Sequence, residues 1–256
     1  MRIATFNING VNTRLSNLKV WLEDTRPDVI CLQELKASTS SFPETALRDL
    51  GYHSVWVGEA RWNGVAIASR HGMPVVTRRS LPGDAKDTQS RYVEAAVEGV
   101  LIACLYLPNG NPRPGPKFDY KLAWFDWLLT HARGLLKLDA PVVLAGDFNV
   151  VPTDADIYDP RSWITNALLQ PEPRASFAQL LAEGWTDALA ERYPHDPQWT
   201  FWAYLRKAWE RDAGLRIDHL LLNDAAATRL TDAGVDREVR GQPGASDHAP
   251  VWIELR

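Results

Sequence analysis

The sequence predicts an α+β protein in which two mixed β-sheets pack together and helices flank them. Short apolar runs recur along the whole chain, and several of them alternate apolar and polar residues as half-buried strands do. Consecutive runs often lack a helix between them, which argues against a regular alternation of strands and helices around one parallel sheet. The chain contains no linker, internal repeat or low-complexity tract, so we expect a single domain over residues 1–256.

Nine apolar runs are interpreted as strands because glycine, proline or polar turn residues bound them. In chain order they are RIATF, DVICLQ, HSVWVG, GVAIAS, YVEAAV, VLIACLYL, PVVLAG, IDHLLL and APVWIEL.

Three helices are predicted between these strands. The first lies in RLSNLKVWLEDT, where the leucines share one face, and the second in FPETALRDLG, where Gly51 suits a C-terminal cap. The longest runs from about 117 to 137, and its predicted apolar stripe is Phe118, Leu122, Phe125, Leu129, Ala132 and Leu136. The segments 108–116, 151–173 and 191–214 read as long loops, which are often functional.

The composition is that of an ordinary globular protein, with 45% hydrophobic and 23% charged residues. No apolar run is long enough to span a bilayer, and the N-terminus lacks a signal sequence, so we expect a cytoplasmic protein without a membrane partner. Cys31 and Cys104 lie inside apolar runs, which favours buried, inert thiols over a disulfide or a zinc site.

The net charge of −4 argues against general nucleic-acid binding but leaves room for a local basic rim. The candidates for such a rim are Arg91, Arg113, Lys117, Arg206 and Lys207.

Polar residues at strand ends carry the chemical signal. In PVVLAGDFNVVPTD, a buried strand ends in Asp147 and Asn149, whose side chains share a face if the strand geometry persists that far. Five other strand ends or apolar runs also present polar groups, namely Asn7 and Asn9; Gln33, Glu34 and Lys36; Tyr106 and Asn109; Asp218; and Asp247 with His248.

Each of these residues also has a purely structural interpretation. Asn7 is more often a turn residue than a ligand, Glu34 is more often solvated, and a lone His248 is more often a satisfied histidine than a catalyst. Asp218 is harder to dismiss because a carboxylate among apolar neighbours needs a partner. The joint pattern of six such sites carries the functional interpretation.

Metal-assisted phosphoester hydrolysis is the chemistry that fits this set. Glu34 with Asp147 or Asp247, together with amide oxygens and no cysteine, forms a hard oxygen site suited to Mg²⁺ or Mn²⁺. An aspartate beside an asparagine could deprotonate and orient a water molecule. A histidine held by a carboxylate, for which Asp218 is the candidate, would stay cationic near a phosphate.

Seven motifs resemble the exonuclease III family of abasic-site endonucleases and occur in the family's order over essentially the whole chain. They are FNING, PDVICLQE, GVAI, YLPNG, GDFNVVPTD, LRIDHLL and SDHAPV. The resemblance implies the fold of deoxyribonuclease I, a four-layer α/β/β/α sandwich of two mixed β-sheets flanked by helices.

The resemblance also implies a function. The implied function is that of a Mg²⁺-dependent DNA repair nuclease, which would hydrolyse the phosphodiester 5′ to abasic sites in duplex DNA and would also have 3′–5′ exonuclease and 3′-phosphodiesterase or phosphatase activity. The expected partner is double-stranded DNA with abasic sites or blocked 3′ ends, and a monomer is expected.

For the metal, the resemblance implies Glu34 as the main carboxylate, with Lys36 orienting it. Asn9 stands where some relatives carry aspartate, so the metal shell here has one negative charge less. The residues that the resemblance places in or around the metal site are Asn7, Glu34, Asp147, Asn149, Asp247 and His248.

For the reaction, the resemblance implies that Asp147 activates or protonates, Asn149 positions the attacking water and Tyr106 contacts the scissile phosphate. His248, supported by Asp218, would stabilise the transition state. The substrate-binding residues implied are Lys36, Arg91 and Asn109, with Phe201, Leu215 and Ile217 as an apolar pocket for the base-less sugar.

Two other functions compete with this one. A relative acting on a non-DNA phosphoester would share the Glu, Asp-Asn and Asp-His elements, but the aromatic segment WTFWAY before GLRIDHLLL favours DNA repair. A catalytically silent DNA-binding module is disfavoured because every catalytic element is present.

Overall fold

Two six-stranded mixed β-sheets form the centre of the protein, and the computed structural model describes residues 1–256. The strands are β1 (Arg2–Asn7), β2 (Val29–Gln33), β3 (His53–Val57), β4 (Val65–Ser69), β5 (Val75–Arg78), β6 (Tyr92–Val97), β7 (Val100–Tyr106), β8 (Val142–Asp147), β9 (Thr186–Asp187), β10 (Asp218–Leu222), β11 (Leu230–Val235) and β12 (Val251–Leu255).

Six α-helices accompany the sheets, and none of them combines the length and the apolar character needed to cross a membrane. They are α1 (Leu15–Thr25), α2 (Glu44–Asp49), α3 (Pro116–Leu135), α4 (Pro171–Ala182), α5 (Ala188–Arg192) and α6 (Asp224–Ala227).

Each sheet contains one parallel pair of strands among antiparallel neighbours. The first sheet has the order β11-β12-β1-β2-β4-β3 and the second β5-β6-β7-β8-β10-β9. The parallel pairs are β1 with β2 and β7 with β8. Asn7 stands opposite Gln33 at the end of the first pair, and Tyr106 stands opposite Asp147 at the end of the second. Polar residues therefore gather where the parallel strands of each sheet end.

The two sheets pack face to face through a core of 23 buried residues, which includes Cys31 and Cys104. Trp21 of α1 belongs to a second cluster on the outer face of the first sheet. Trp124 of α3 and Phe177 of α4 belong to a third cluster on the outer face of the second sheet. The predicted four-layer sandwich is therefore confirmed.

All nine predicted strands are present, but the sequence analysis missed three. These are β5, β9 and β11, and each lies at the edge of a sheet. An edge strand covers less core and so needs fewer apolar residues; Val75 of β5 is 67% exposed.

The apolar stripe of α3 differs in part from the prediction. Leu122 and Leu136 are only half-buried, whereas Lys121, Trp124, Leu128 and Leu135 are buried. The buried face is therefore turned slightly and carries a lysine, which an apolar pattern does not mark. The predicted loop 151–173 is also shorter than expected, because α4 begins at Pro171 and three short 3₁₀ helices precede it.

Candidate active site

The ends of the two parallel strand pairs meet in one polar cluster. The Tyr106 hydroxyl donates a hydrogen bond of 2.8 Å to Glu34 Oε1, and Asn7 Nδ2 lies 3.0 Å from the same oxygen. Asn7 Nδ2 also donates to Asp147 Oδ2 at 3.0 Å. The Tyr106–Glu34 and Asn7–Asp147 bonds join residues of the first sheet to residues of the second. The sandwich therefore brings together polar groups that are far apart in sequence.

Asp147 and Asn149 converge, although not by strand geometry. The strand ends at Asp147, and Asn149 has a left-handed backbone with φ of 48°. Asparagine tolerates this conformation better than most residues. The Asp147 carboxylate accepts the Asn149 backbone N–H at 2.8 Å and its side-chain amide at 3.2 Å. A tight turn closed by the aspartate therefore holds the pair, in place of the continued strand that the sequence suggested.

His248 and Asp218 form the pair that the sequence predicted. His248 Nδ1 and Asp218 Oδ2 are 2.8 Å apart, and Thr200 Oγ1 donates to the same carboxylate oxygen at 2.6 Å. On its other side, His248 Nε2 lies 3.9 Å from Asp147 Oδ2. The Phe201 ring packs against the imidazole with 4.9 Å between ring centroids. The imidazole is thus fixed between two carboxylates.

The two buried groups at the centre have strongly shifted pKa values. Burial raises the pKa of Asp147 to about 7, and the nearby carboxylates Asp218 and Glu34 reinforce this rise against the opposing charge of His248. Burial by itself lowers the pKa of His248, but the charge and hydrogen bond of Asp218, with the charge of Asp147, raise it to about 10. At neutral pH the histidine is therefore a cation and the aspartate can exchange a proton.

Glu34 is held as an anion and Tyr106 as a phenol. Burial raises the pKa of Glu34, but Lys36 and Asn7 outweigh it and bring the pKa below its usual value. Lys36 Nζ lies 2.8 Å from Glu34 Oε2 and donates to Asn9 Oδ1 at 2.6 Å. The pKa of Tyr106 rises well above its usual value because of burial and the carboxylates of Glu34 and Asp147.

The donor set of the cluster fits a hard metal ion. The carboxylates of Glu34 and Asp247 and the amide oxygens of Asn7 and Asn9 are ligands that such an ion accepts, and no cysteine lines the central cavity. Asp147, Asp218 and His248 also place ligand atoms within 4.8 Å of one another. The raised pKa of His248 favours the role of a cation over that of a ligand, since a protonated imidazole offers no free ring nitrogen. The site can hold a metal ion, and the Glu34 side is the better fit.

The cluster lies in a groove made of three connected cavities. A central cavity of about 320 Å³ is lined by Glu34, Asp147, Asn149 and His248 among others. It shares Asn111 with a cavity of about 660 Å³ and with another of about 890 Å³. The candidate substrate residues Lys36, Arg91 and Asn109 line the 660 Å³ cavity. Arg91 stacks on the Tyr106 ring, 4.8 Å from its centroid.

The predicted sugar pocket is only partly as expected. Phe201 and Ile217 line the central cavity, but Leu215 does not. Leu215 is fully buried because its backbone pairs with Phe201 and with Ile157 on opposite sides, and its side chain packs into a small core cluster. Trp163 takes a place in the cavity wall that the sequence analysis did not assign.

Four residues at the site escaped sequence reasoning: Thr200, Trp163, Asn166 and Lys121. Thr200 precedes the aromatic segment FWAY, and its hydroxyl donates to Asp218 because the adjacent Phe201 pairs with Leu215, shortly before β10. Trp163 and Asn166 stand in a loop without a recognisable motif. No local sequence signal marks any of these residues, because tertiary packing alone brings them to the site.

Comparison with known proteins agrees with this geometry. A profile of the group described as the endonuclease/exonuclease/phosphatase family matches residues 4–248. The chain belongs to this family. A curated member of similar length, the exodeoxyribonuclease III of Haemophilus influenzae, is 32% identical over 268 aligned positions that cover all of both chains. The predicted resemblance to the exonuclease III family is confirmed.

Two solved structures extend the comparison. The 3′ phosphatase NExo from Neisseria, bound to a product DNA hairpin, superposes with a TM-score of 0.95 at 40% identity and covers 100% of this chain and 99% of its own. An AP endonuclease from Archaeoglobus fulgidus gives a TM-score of 0.94 at 32% identity, again covering 100% of this chain and 99% of its own. Both neighbours support the deoxyribonuclease I-like fold.

Proposed function

We propose that this protein is a Mg²⁺-dependent DNA repair nuclease. It hydrolyses the phosphodiester 5′ to an abasic site in duplex DNA, and it removes nucleotides and blocking groups from 3′ ends. The observation that carries the proposal is the convergence of Glu34, Asp147 and His248 on the floor of one groove. The names of the relatives, exodeoxyribonuclease III, 3′ phosphatase and AP endonuclease, support it.

Asp147 and Asn149 activate and orient the attacking water molecule. With a pKa of about 7, Asp147 can accept a proton from water near neutral pH and return it to a leaving oxygen. Asn149 is held by Asp147 on one side and by Asn109, which donates to Asn149 Oδ1 at 2.9 Å, on the other. A fixed amide beside the base is what orienting a nucleophile requires.

Tyr106 and His248 face the charge that develops on the phosphate. The phenol remains protonated and can donate a hydrogen bond, and the imidazole remains cationic. Fixed donors and charges aimed at a developing anion are commonly the largest contribution to catalysis. Glu34, with Asp247 and Asn7, would hold Mg²⁺, and the bound ion would supply Lewis-acid polarisation of a phosphoryl oxygen. Lys36 keeps Glu34 in place.

The groove offers DNA a cationic surface despite the acidic net charge. The 660 Å³ cavity carries Arg91 and Lys117, and the 890 Å³ cavity carries Arg113, Arg206 and Arg211. Basic residues therefore line both cavities that adjoin the site, where a bound phosphate backbone could contact them. Because few phosphates would be neutralised, we expect binding that weakens with salt along a shallow slope.

Apolar side chains at the two sides of the groove favour nucleic acid over a small phosphoester. Trp62 in the 660 Å³ cavity is 70% exposed, and Leu205 in the 890 Å³ cavity is 76% exposed. Exposed side chains of this kind can stack on bases or wedge between them. An enzyme for a small soluble phosphoester such as an inositol phosphate needs neither.

Processing of 3′ ends is proposed as the stronger of the activities. The chain is 40% identical to the Neisseria 3′ phosphatase and 32% identical to the archaeal AP endonuclease, with both compared over the full chain. The closer relative is thus the end-processing enzyme.

One substrate panel tests the function. Purified protein with Mg²⁺ is assayed on a duplex with a single abasic-site analogue, a duplex with a 3′-phosphate at a nick, and an undamaged blunt duplex. We expect the fastest turnover on the 3′-phosphate, slower incision at the abasic site and the slowest loss of nucleotides from the blunt end. Turnover of inositol phosphates or phospholipid head groups, with no activity on any duplex and no salt-dependent DNA binding, would instead support the non-DNA alternative.

A further inference from the structure

Lys121 is a buried lysine that the mechanism above does not use. It lies in the core-facing stripe of α3 between Phe118 and Trp124 and has no exposed surface. Lysine is almost never fully buried unless a carboxylate pairs with it, and Lys121 forms no salt bridge. Burial lowers its pKa to about 7, which Asp147 counteracts in part. A core ammonium that no salt bridge neutralises is costly, so its contacts call for an explanation.

The ammonium contacts the backbone of two candidate site residues. Lys121 Nζ donates to the carbonyl oxygen of Asn149 at 2.5 Å and to that of Asn109 at 3.1 Å. The side chains of these two asparagines are hydrogen-bonded to each other at 2.9 Å. Two links therefore connect the segment after β7 to the segment after β8. One is the hydrogen bond between the two asparagine side chains, and the other is the lysine that donates to both backbones.

The lysine stem shapes the adjacent turn. A Cβ atom at Gly110 would lie 2.7 Å from Lys121 Cδ, and the φ of Gly110 is +88°. Only glycine lets the backbone pass this close in this conformation. Gly110 therefore packs directly against the Lys121 side chain, where a larger residue would not fit.

An apolar residue would satisfy the packing of α3 but not the two carbonyls. Leu128, seven residues later on the same helix, is fully buried in the cluster on the outer face of the second sheet. A leucine is therefore sufficient for packing on this face of α3. Asn149 also has the left-handed backbone, so its peptide depends on side-chain support instead of a strand ladder. Lys121 provides that support at Asn149, whose side-chain amide lies beside Asp147.

We propose that Lys121 is a positioning residue for hydrolysis, which fixes the backbone of Asn149 and Asn109 so that the Asn149 amide and the Asp147 carboxylate hold the attacking water. This inference rests on the proposed function, in which Asn149 orients that water.

Lys121→Met tests the inference, with Leu128→Ala as the matched control. The methionine keeps the length of the side chain and removes the donors. We expect kcat on the 3′-phosphate duplex to fall by about 10- to 100-fold, because a small displacement of a catalytic group has this effect, while KM stays within about threefold. Leu128→Ala should lower the melting temperature but leave kcat within about twofold of wild type. If the role of Lys121 were purely structural, Lys121→Met would behave like Leu128→Ala, with a lower melting temperature and an almost unchanged kcat.

A second readout does not depend on the substrate. Hydrogen exchange of the backbone amides in segments 107–111 and 147–151 should accelerate in Lys121→Met and remain as in wild type in Leu128→Ala. If wild-type protein is inactive on all duplexes, the proposed function fails. The exchange result still decides whether Lys121 holds these two segments, and unchanged exchange there overturns the inference.

Lys121→Gln provides the second variant, since it keeps an amide donor without the charge. A folded Met or Gln variant with kcat within about twofold of wild type overturns the inference. If neither variant folds while Leu128→Ala does, Lys121 belongs to the fold and the positioning role is rejected.

Discussion

Replacing Asp218 by asparagine probes the part of the mechanism that the structure defines most sharply. Asp218 is fully buried, and one of its oxygens is 2.8 Å from His248 Nδ1. The substitution keeps the shape of the side chain and removes the negative charge. Of the groups that raise the pKa of His248, Asp218 is the largest contributor, and burial acts against it. In the variant, burial is therefore opposed only by the smaller contributions of the Asp147 and Asp247 charges.

The magnitude follows from the pKa. In the wild-type protein the pKa of His248 is about 10, so the imidazole is protonated throughout the neutral range. Without Asp218 we expect this pKa to fall, since burial disfavours the cation and only the smaller charges of Asp147 and Asp247 oppose it. One pH unit above the lowered pKa, only about a tenth of the imidazole carries a proton. The charge effect alone then lowers kcat/KM about tenfold at that pH, and the weaker orienting bond raises the loss to the order of 10²-fold.

The assay is the pH dependence of kcat/KM on the 3′-phosphate duplex. For wild type, activity should rise as Asp147 deprotonates around pH 7 and fall as His248 deprotonates around pH 10. In Asp218→Asn the alkaline limb should move to lower pH. Thr200→Val removes a hydrogen bond of 2.6 Å to the same carboxylate oxygen but keeps the charge, so its alkaline limb should stay close to that of wild type. An Asp218→Asn profile with an unshifted alkaline limb would refute the assignment of His248 as a catalytic cation.

Three further substitutions test the other parts of the site. Glu34→Gln should weaken Mn²⁺ binding in a calorimetric titration and reduce activity by at least about 10²-fold. The reason is that an amide replaces the carboxylate that suits a hard cation. An unchanged Mn²⁺ affinity would show that Glu34 is not a metal ligand. Asp147→Asn should lower kcat by on the order of 10²- to 10⁴-fold while DNA affinity, measured by fluorescence anisotropy, stays within a few-fold; normal turnover would exclude Asp147 as the acid–base group. Phe201→Ala should reduce the preference for abasic over undamaged duplex with cooperative melting retained. A parallel loss of both rates and of melting temperature would show that Phe201 serves the core only.

The sequence predicted the parts of the fold that are deeply buried. Seven of the nine apolar runs became strands that are buried along nearly their whole length, and a strand buried on both faces has to be apolar throughout. The edge strands β5, β9 and β11 lack a continuous apolar run. Exposed positions such as Val75 do not have to be apolar, so these strands were not recognised. The apolar stripe of α3 was misplaced in part because its buried face includes Lys121.

The site was predictable where polar residues interrupt apolar runs. Asp147 and Asp218 stand directly in buried strands, where a carboxylate is conspicuous. Residues that reach the site through tertiary packing were not predictable. Thr200 supports Asp218 from another segment, and Leu215, two residues before Ile217, was expected to share its exposure to the pocket. The backbone pairing of Leu215 with Phe201 and Ile157 placed it in the core instead.

The central claim is that water attacks phosphorus at this site in a reaction that needs the metal. The most direct measurement is mass spectrometry of the products formed in ¹⁸O-labelled water from a duplex bearing a single abasic-site analogue. With Mg²⁺ we predict a fragment ending in a 3′-hydroxyl and a second fragment whose 5′-phosphate carries the label, and neither fragment in EDTA. Cleavage on the 3′ side of the abasic residue, an unlabelled 5′-phosphate, or equal incision in EDTA would contradict the mechanism.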